Sequence, residues 1–164
     1  MGTTTVASLL ASAVASQLGI PPRLIDHSGG DLITRVTSAA PAAEHWIRDL
    51  GPRAVNDADL PPDAHPVIVT SSDPNRADAA LAALQRLTGP DKEERHRGIV
   101  VVNSTSRRRP PRETAVRLSR TAPGVAVVAL AWDPALATPG PVDPLRLSSG
   151  TIAAVGAILR ALQM

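Results

Sequence analysis

Gly98-Ile99-Val100-Val101-Val102-Asn103 is the strongest strand signal in the chain, an unbroken β-branched run that closes on a polar side chain. Branching at Cβ stiffens χ1 and favours extended backbone. The run is apolar at every position instead of alternating, so both of its faces must be covered, as in a strand inside a parallel sheet. Pro66-Val67-Ile68-Val69-Thr70 and the segment from Val125 to Ala131 have the same character. Between them lie segments with helical patterning, about Arg76 to Leu87, which stops near Gly89-Pro90, and Arg112 to Arg120. Continuous apolar strands alternating with helices predict an α/β fold: a three-layer sandwich with a mostly parallel sheet and helices on both faces.

The flanking chain extends this pattern. Thr4 to Leu18 is rich in Ala and Leu, begins with hydroxyl residues and is followed by Gly19, which predicts a capped and terminated helix. Ile20-Pro21-Pro22 reads as a turn, and Arg23-Leu24-Ile25-Asp26 as a short strand ending on an acid before Ser28-Gly29-Gly30. Weaker helical patterns cover Leu32 to Val36 and Ala42 to Leu50, broken at Pro41 and Gly51. Arg53-Ala54-Val55-Asn56-Asp57 reads as a second short strand closing on an acid. Asp91 to Arg97 is a charged loop, Ser104 to Arg112 an Arg- and Pro-rich one, and Asp133 to Pro144 a proline-rich one. Ser149 to Leu162 forms the last helix. No internal repeat or long low-complexity linker interrupts the 164 residues, which predicts a single domain over 1–164.

Composition narrows the function classes. The chain is 43% hydrophobic but 1% aromatic, so Ala, Val, Leu and Ile must build the core, and Trp46 and Trp132 are its two aromatic residues. This argues against nucleic-acid platforms that stack bases on exposed aromatic rings. Without cysteine there are no disulfides, thiolate zinc sites or cysteine nucleophiles. No apolar run reaches transmembrane length, and the start lacks the basic region of a signal peptide, so a cytoplasmic location without membrane attachment is expected. The net charge is +2, and every basic residue except Lys92 is Arg. A nearly neutral protein with local patches results.

Gly2-Thr3-Thr4-Thr5-Val6-Ala7, followed by the Ala/Leu helix, looks like the second half of a phosphate loop, with glycine, hydroxyls and a helix N-terminus in order. It resembles the end of the deviant Walker motif of the MinD/ParA family of P-loop ATPases. The Thr at the second-lysine position is similar to the pilus-localisation branch. Later segments keep the family's order. Leu24-Ile25-Asp26-His27-Ser28-Gly29-Gly30-Asp31-Leu32 resembles its second strand and switch segment, Val55-Asn56-Asp57 sits where the Walker B acid would fall, and Gly98 to Asn103 is similar to the strand whose terminal Asn reads adenine. Ala131-Trp132-Asp133-Pro134, with Gly140 and Val142, resembles the acidic loop before the final helix. The resemblance runs from Gly2 to the C-terminus. It implies ATP with its phosphates at Gly2, Thr3, Thr4 and Thr5, Mg²⁺ near Thr4 and Asp26 or Asp57, the base at Asn103, and catalytic roles for Asp26 and Asp57.

Departures from the family shape the functional expectation. The first strand and the lysine-bearing half of the loop are absent ahead of Gly2, no lysine stands at Thr3, and the second switch acid is replaced by Ser28. Charge stabilisation for phosphoryl transfer is therefore thin. The expectation is a degenerate positioning or regulatory protein that works through protein partners, with homodimerisation compatible, and that binds ATP with weak or no hydrolysis. The alternatives are an active ATPase whose missing residues lie upstream, and a DNA-associating, partition-type module in which Arg107, Arg108, Arg109 and Arg112 contact phosphates.

Other polar residues have plainer readings. His27, His45, His65 and His96 show no metal-ligand spacing. Asp26, His27 and Ser28 cannot form a catalytic triad, because sequence neighbours on a strand point to opposite faces. The last helix carries Ile152, Val155, Ile158, Leu159 and Leu162 at helical spacing with Arg160 as its one basic residue, which fits a sheet-covering helix better than a membrane anchor.

Overall fold

The computed structural model describes residues 2–29, 31–36, 44–51, 61, 64–87, 98–107 and 110–162. Among these, strands are interleaved with helices along most of the chain and every strand pair is parallel, which makes the protein an α/β sandwich as its apolar runs require. In chain order the elements are α1 (Thr3–Leu18), β1 (Arg23–Asp26), α2 (Asp31–Arg35), β2 (Trp46–Asp49), β3 (Val67–Ser71), α3 (Pro74–Leu87), β4 (Ile99–Asn103), α4 (Arg112–Thr121), β5 (Ala126–Leu130), α5 (Pro134–Ala137) and α6 (Ser149–Ala161), with a 3-10 turn at Pro144–Arg146 before α6. The chain divides into two compact units, Met1–Ala54 with Asp133–Val155, and Val55–Trp132 with Gly156–Met164.

In the first unit β1 and β2 pair in register from Arg23 opposite Trp46 to Asp26 opposite Asp49. α1 packs on β2 and α2. Residues 5–11 of α1 are buried on every side, so its first turns are an interior helix, not an amphipathic one. Gly19 ends it in the left-handed conformation at φ 69, the position its sequence placement predicts. The strand β2 corrects the helical reading of Ala42 to Leu50. Trp46 and Arg48 share one face and Ile47 and Asp49 the other, and pairing with β1 outweighs the helix-forming residues around them. The predicted strand at Arg53 to Asp57 lies outside the described residues.

In the second unit β4 is central, flanked by β3 and β5, with Val67, Ile99 and Ala126 at one end of the register and Ser71, Asn103 and Leu130 at the other. All five residues of β4 are buried. Val100 and Val102 pack with Ala77, Leu81 and Leu84 of α3 and Ala115 and Leu118 of α4. Both helices therefore cover one face of this sheet, and they pack on each other. The other face of β4, formed by Ile99, Val101 and Asn103, is equally closed to solvent.

The proline-rich segment from Asp133 to Pro144 is more ordered than a loop. Asp133 caps α5 by accepting from the Ala135 N–H, and Asp143 caps the 3-10 turn through the Leu145 N–H, each with Pro at the first helical position. No described helix is long and apolar enough to cross a membrane.

Candidate functional site

The carboxyl ends of parallel strands are where open α/β sheets bind ligands, and each unit presents polar residues there. In the first unit Asp26 and Asp49 end neighbouring strands as register partners. Asp26 Oδ1 accepts from the N–H and Oγ–H of Ser28 at 2.7 and 2.6 Å, and Oδ2 accepts from the Leu32 N–H at 2.9 Å, capping α2 from a distance. Asp49 is 3% exposed. Its Oδ1 accepts from the Gly51 N–H at 2.9 Å, whereas its buried Oδ2 has no hydrogen-bond partner. The two strand ends are tied together by the His27 N–H donating to the Asp49 carbonyl at 2.8 Å. Gly51, at φ 62, completes the arrangement, since a Cβ there would stand 3.1 Å from the Ser28 Cα. Asp49 was missed because Ala42 to Leu50 read as helix. An acid at a strand end, followed by Gly51, was the available signal.

In the second unit Asn103 ends β4 at 2% exposure, and neither its Oδ1 nor its Nδ2 finds a hydrogen-bond partner. Beside it, Ser104 continues the sheet by donating its N–H to the Leu130 carbonyl at 2.9 Å. A cleft of about 210 Å³ opens here, lined by Ser104, Ser106, Arg107, Pro111, Ala131 and Trp132 among others. The Arg107 guanidinium sits 4.6 Å from the centre of the Trp132 ring, so this arginine is engaged in a cation–π stack. Arg112 begins α4 and is exposed. Arg108 and Arg109 lie outside the described residues, as do Asp57 and Lys92.

At the start of α1, Gly2 is the exposed, extended N-cap, and no side chain caps the first turn. Thr3 and Thr4 are half-buried, while Thr5 is buried. The first-turn N–H groups carry the positive end of the helix dipole, the end that attracts anions.

Asp133 plays a structural part. Burial raises the cost of its charge, but the Thr151 hydroxyl at 2.6 Å, the Ser148 N–H at 2.8 Å and the Ala135 N–H at 3.0 Å outweigh burial and hold its carboxyl below the usual aspartate range. One carboxylate thereby fixes the starts of both α5 and α6. Among the described residues no three His, Asp or Glu side chains gather as a metal cluster. No protein-family model, curated protein or solved structure matches the chain.

Proposed function

We propose that the protein is a degenerate MinD/ParA-like regulatory or positioning protein that binds ATP, with its base at Asn103, and hydrolyses it weakly or not at all. The observation that carries this reading is the Asn103 amide, buried at the carboxyl end of the central strand with both polar atoms unpaired. Each such orphaned group costs about 1–3 kcal/mol. A ligand edge offering a donor beside an acceptor answers both atoms at once, and adenine offers that pair to an asparagine side chain. The resemblance assigns the phosphates to Gly2, Thr3, Thr4 and Thr5, where an uncapped helix start supports an anion.

Weak hydrolysis follows from charge. No lysine stands among Gly2 to Thr5, and Lys92 is the chain's one lysine. Gly2 to Thr5 therefore bring no cation of their own to the β- and γ-phosphates, and from these residues the developing negative charge of phosphoryl transfer goes unanswered. Binding without turnover suits a switch read by protein partners, and a cytoplasmic location accords with that role. Calorimetric titration with Mg·ATP tests the proposal. Saturable heat is expected for the wild type and none for Asn103→Leu, with phosphate release near background. Absence of heat from the wild type at high micromolar protein overturns it.

A further inference from the structure

We propose that the cleft at the carboxyl end of β4 and β5 binds a small aromatic carboxylate, with Arg107 holding the charge and the proline and tryptophan walls holding the ring. This goes beyond the nucleotide reading and stands without it. The Ser104 N–H donates to the Leu130 carbonyl at 2.9 Å, so the two strands stay joined one residue past the end of β4. Beyond that point one segment runs through Arg107 to α4 and the other through Ala131 and Trp132, and both line the cleft of about 210 Å³. Sites for drug-sized ligands span about 300–1,000 Å³, so the occupant here is a smaller molecule.

The sign of the charge is set by Arg107. Its guanidinium lies 4.6 Å from the centre of the Trp132 ring, a contact that uses none of its N–H donors in a hydrogen bond. No ion pair to Arg107 exists among the described residues. Arg112 and Glu113, both exposed in the first turn of α4, offset each other. The carboxylate of Asp133, next in the chain after Trp132, is taken up by the Ala135 and Ser148 N–H groups and the Thr151 hydroxyl. A planar guanidinium with its fork of donors open matches a carboxylate in two parallel hydrogen bonds. One arginine balances one carboxylate, whereas a phosphate carries about twice that charge.

The remaining walls specify the body of the ligand. Pro110, Pro111, Ala131 and Trp132 present apolar surface, which an inorganic anion would leave uncovered. The proline rings fix the backbone at 110 and 111, so that wall is formed before any ligand arrives. A flat ring covers the proline and indole surfaces while its carboxylate reaches Arg107.

The test uses the full chain carrying Trp46→Phe, without nucleotide, and benzoate as the probe. Benzoate is expected to shift Trp132 emission saturably at millimolar concentration. Benzamide, the ring without the charge, and acetate, the charge without the ring, are each expected to bind at least about tenfold more weakly. Arg107→Ala should weaken benzoate by at least about tenfold as well, and because Arg107 is exposed its replacement leaves the core intact. In the wild type, the Trp132 indole N–H resonance should move with benzoate while that of Trp46, in the other unit, stays in place. No saturable shift, equal affinity for benzamide or acetate, or undiminished benzoate binding by Arg107→Ala overturns the proposal. With nucleotide absent throughout, benzoate binding is expected even where Mg·ATP gives no heat, which separates this result from the fate of the ATP reading.

Discussion

A buried amide with neither atom paired is a liability in the ligand-free protein, and Asn103 carries that liability where β4 ends. Leucine keeps the branched outline of asparagine without its polar atoms, although its methyl groups are bulkier. Asn103→Leu should therefore abolish ATP binding, while a gain of about 1–3 kcal/mol from removing the unpaired atoms offsets the strain of the bulkier methyls and leaves the ligand-free protein near wild-type stability in urea unfolding. A loss of several kcal/mol would mean that the amide is satisfied within the protein. Asp133 makes the opposite case, with three donors converging on one carboxylate. Asp133→Ala should cost about 2–4 kcal/mol, because those donors lose their acceptor. The pH dependence has a definite direction. Since folding lowers the Asp133 pKa, its stabilisation is complete above the ordinary aspartate value of about 3.9 and is lost as pH falls through the folded value. The stability gap between wild type and Asp133→Asn should thus be constant above about pH 5 and shrink in more acid solution. A gap that widens on acidification would contradict this.

At the scale of elements, two of the left-handed glycines separate conformation from contact. Gly19 closes α1 at φ 69 with open space where a Cβ would stand, whereas Gly51 combines φ 62 with a 3.1 Å approach to Ser28. Thermal unfolding of Gly19→Ala should show a loss of about 1 kcal/mol, and Gly51→Ala a larger one of about 2–3 kcal/mol. Equal losses would mean that the Ser28 segment yields freely. The strands β3, β4 and β5 were legible because their apolar runs carry the parallel-sheet pattern within the segment itself. β2 was not, because its two strand-forming residues, Trp46 and Ile47, stand between Ala42-Ala43-Glu44-His45 and the charged Arg48-Asp49, and the pairing with β1 that makes them a strand comes from another part of the chain. Asp73-Pro74 starts α3, with the Arg76 N–H donating to Asp73 at 3.1 Å. The same Asp-Pro pair at 133 and 143 carries the same capping chemistry, masked there by the surrounding prolines. Asn103 was legible as a strand-end polar residue. Its unpaired state was not, since hydrogen-bond satisfaction depends on residues far away in sequence.

For the molecule as a whole, a chain almost without aromatic residues builds its interior from small and branched side chains, and so depends on many modest contacts. Leu118, fully buried between α4 and its sheet, is one of the larger contributors, and Leu118→Ala should cost about 2–4 kcal/mol. Scarcity of aromatics also provides a probe, because Trp132 lines the cleft next to β4 and Trp46 lies in the other unit. In a Trp46→Phe background, Arg107→Ala should shift Trp132 emission while costing no more than about 1 kcal/mol, as expected for an exposed cation–π pair. Unchanged emission would show that the stack does not persist in solution. The proposed ATP-binding function rests on one side chain, and nuclear magnetic resonance reads that side chain directly. The Asn103 side-chain amide signal, assigned with Asn103→Leu, should move saturably as Mg·ATP is added to the wild-type protein. An Asn103 amide signal that stays in place while ATP reaches millimolar concentration would contradict nucleotide recognition at β4.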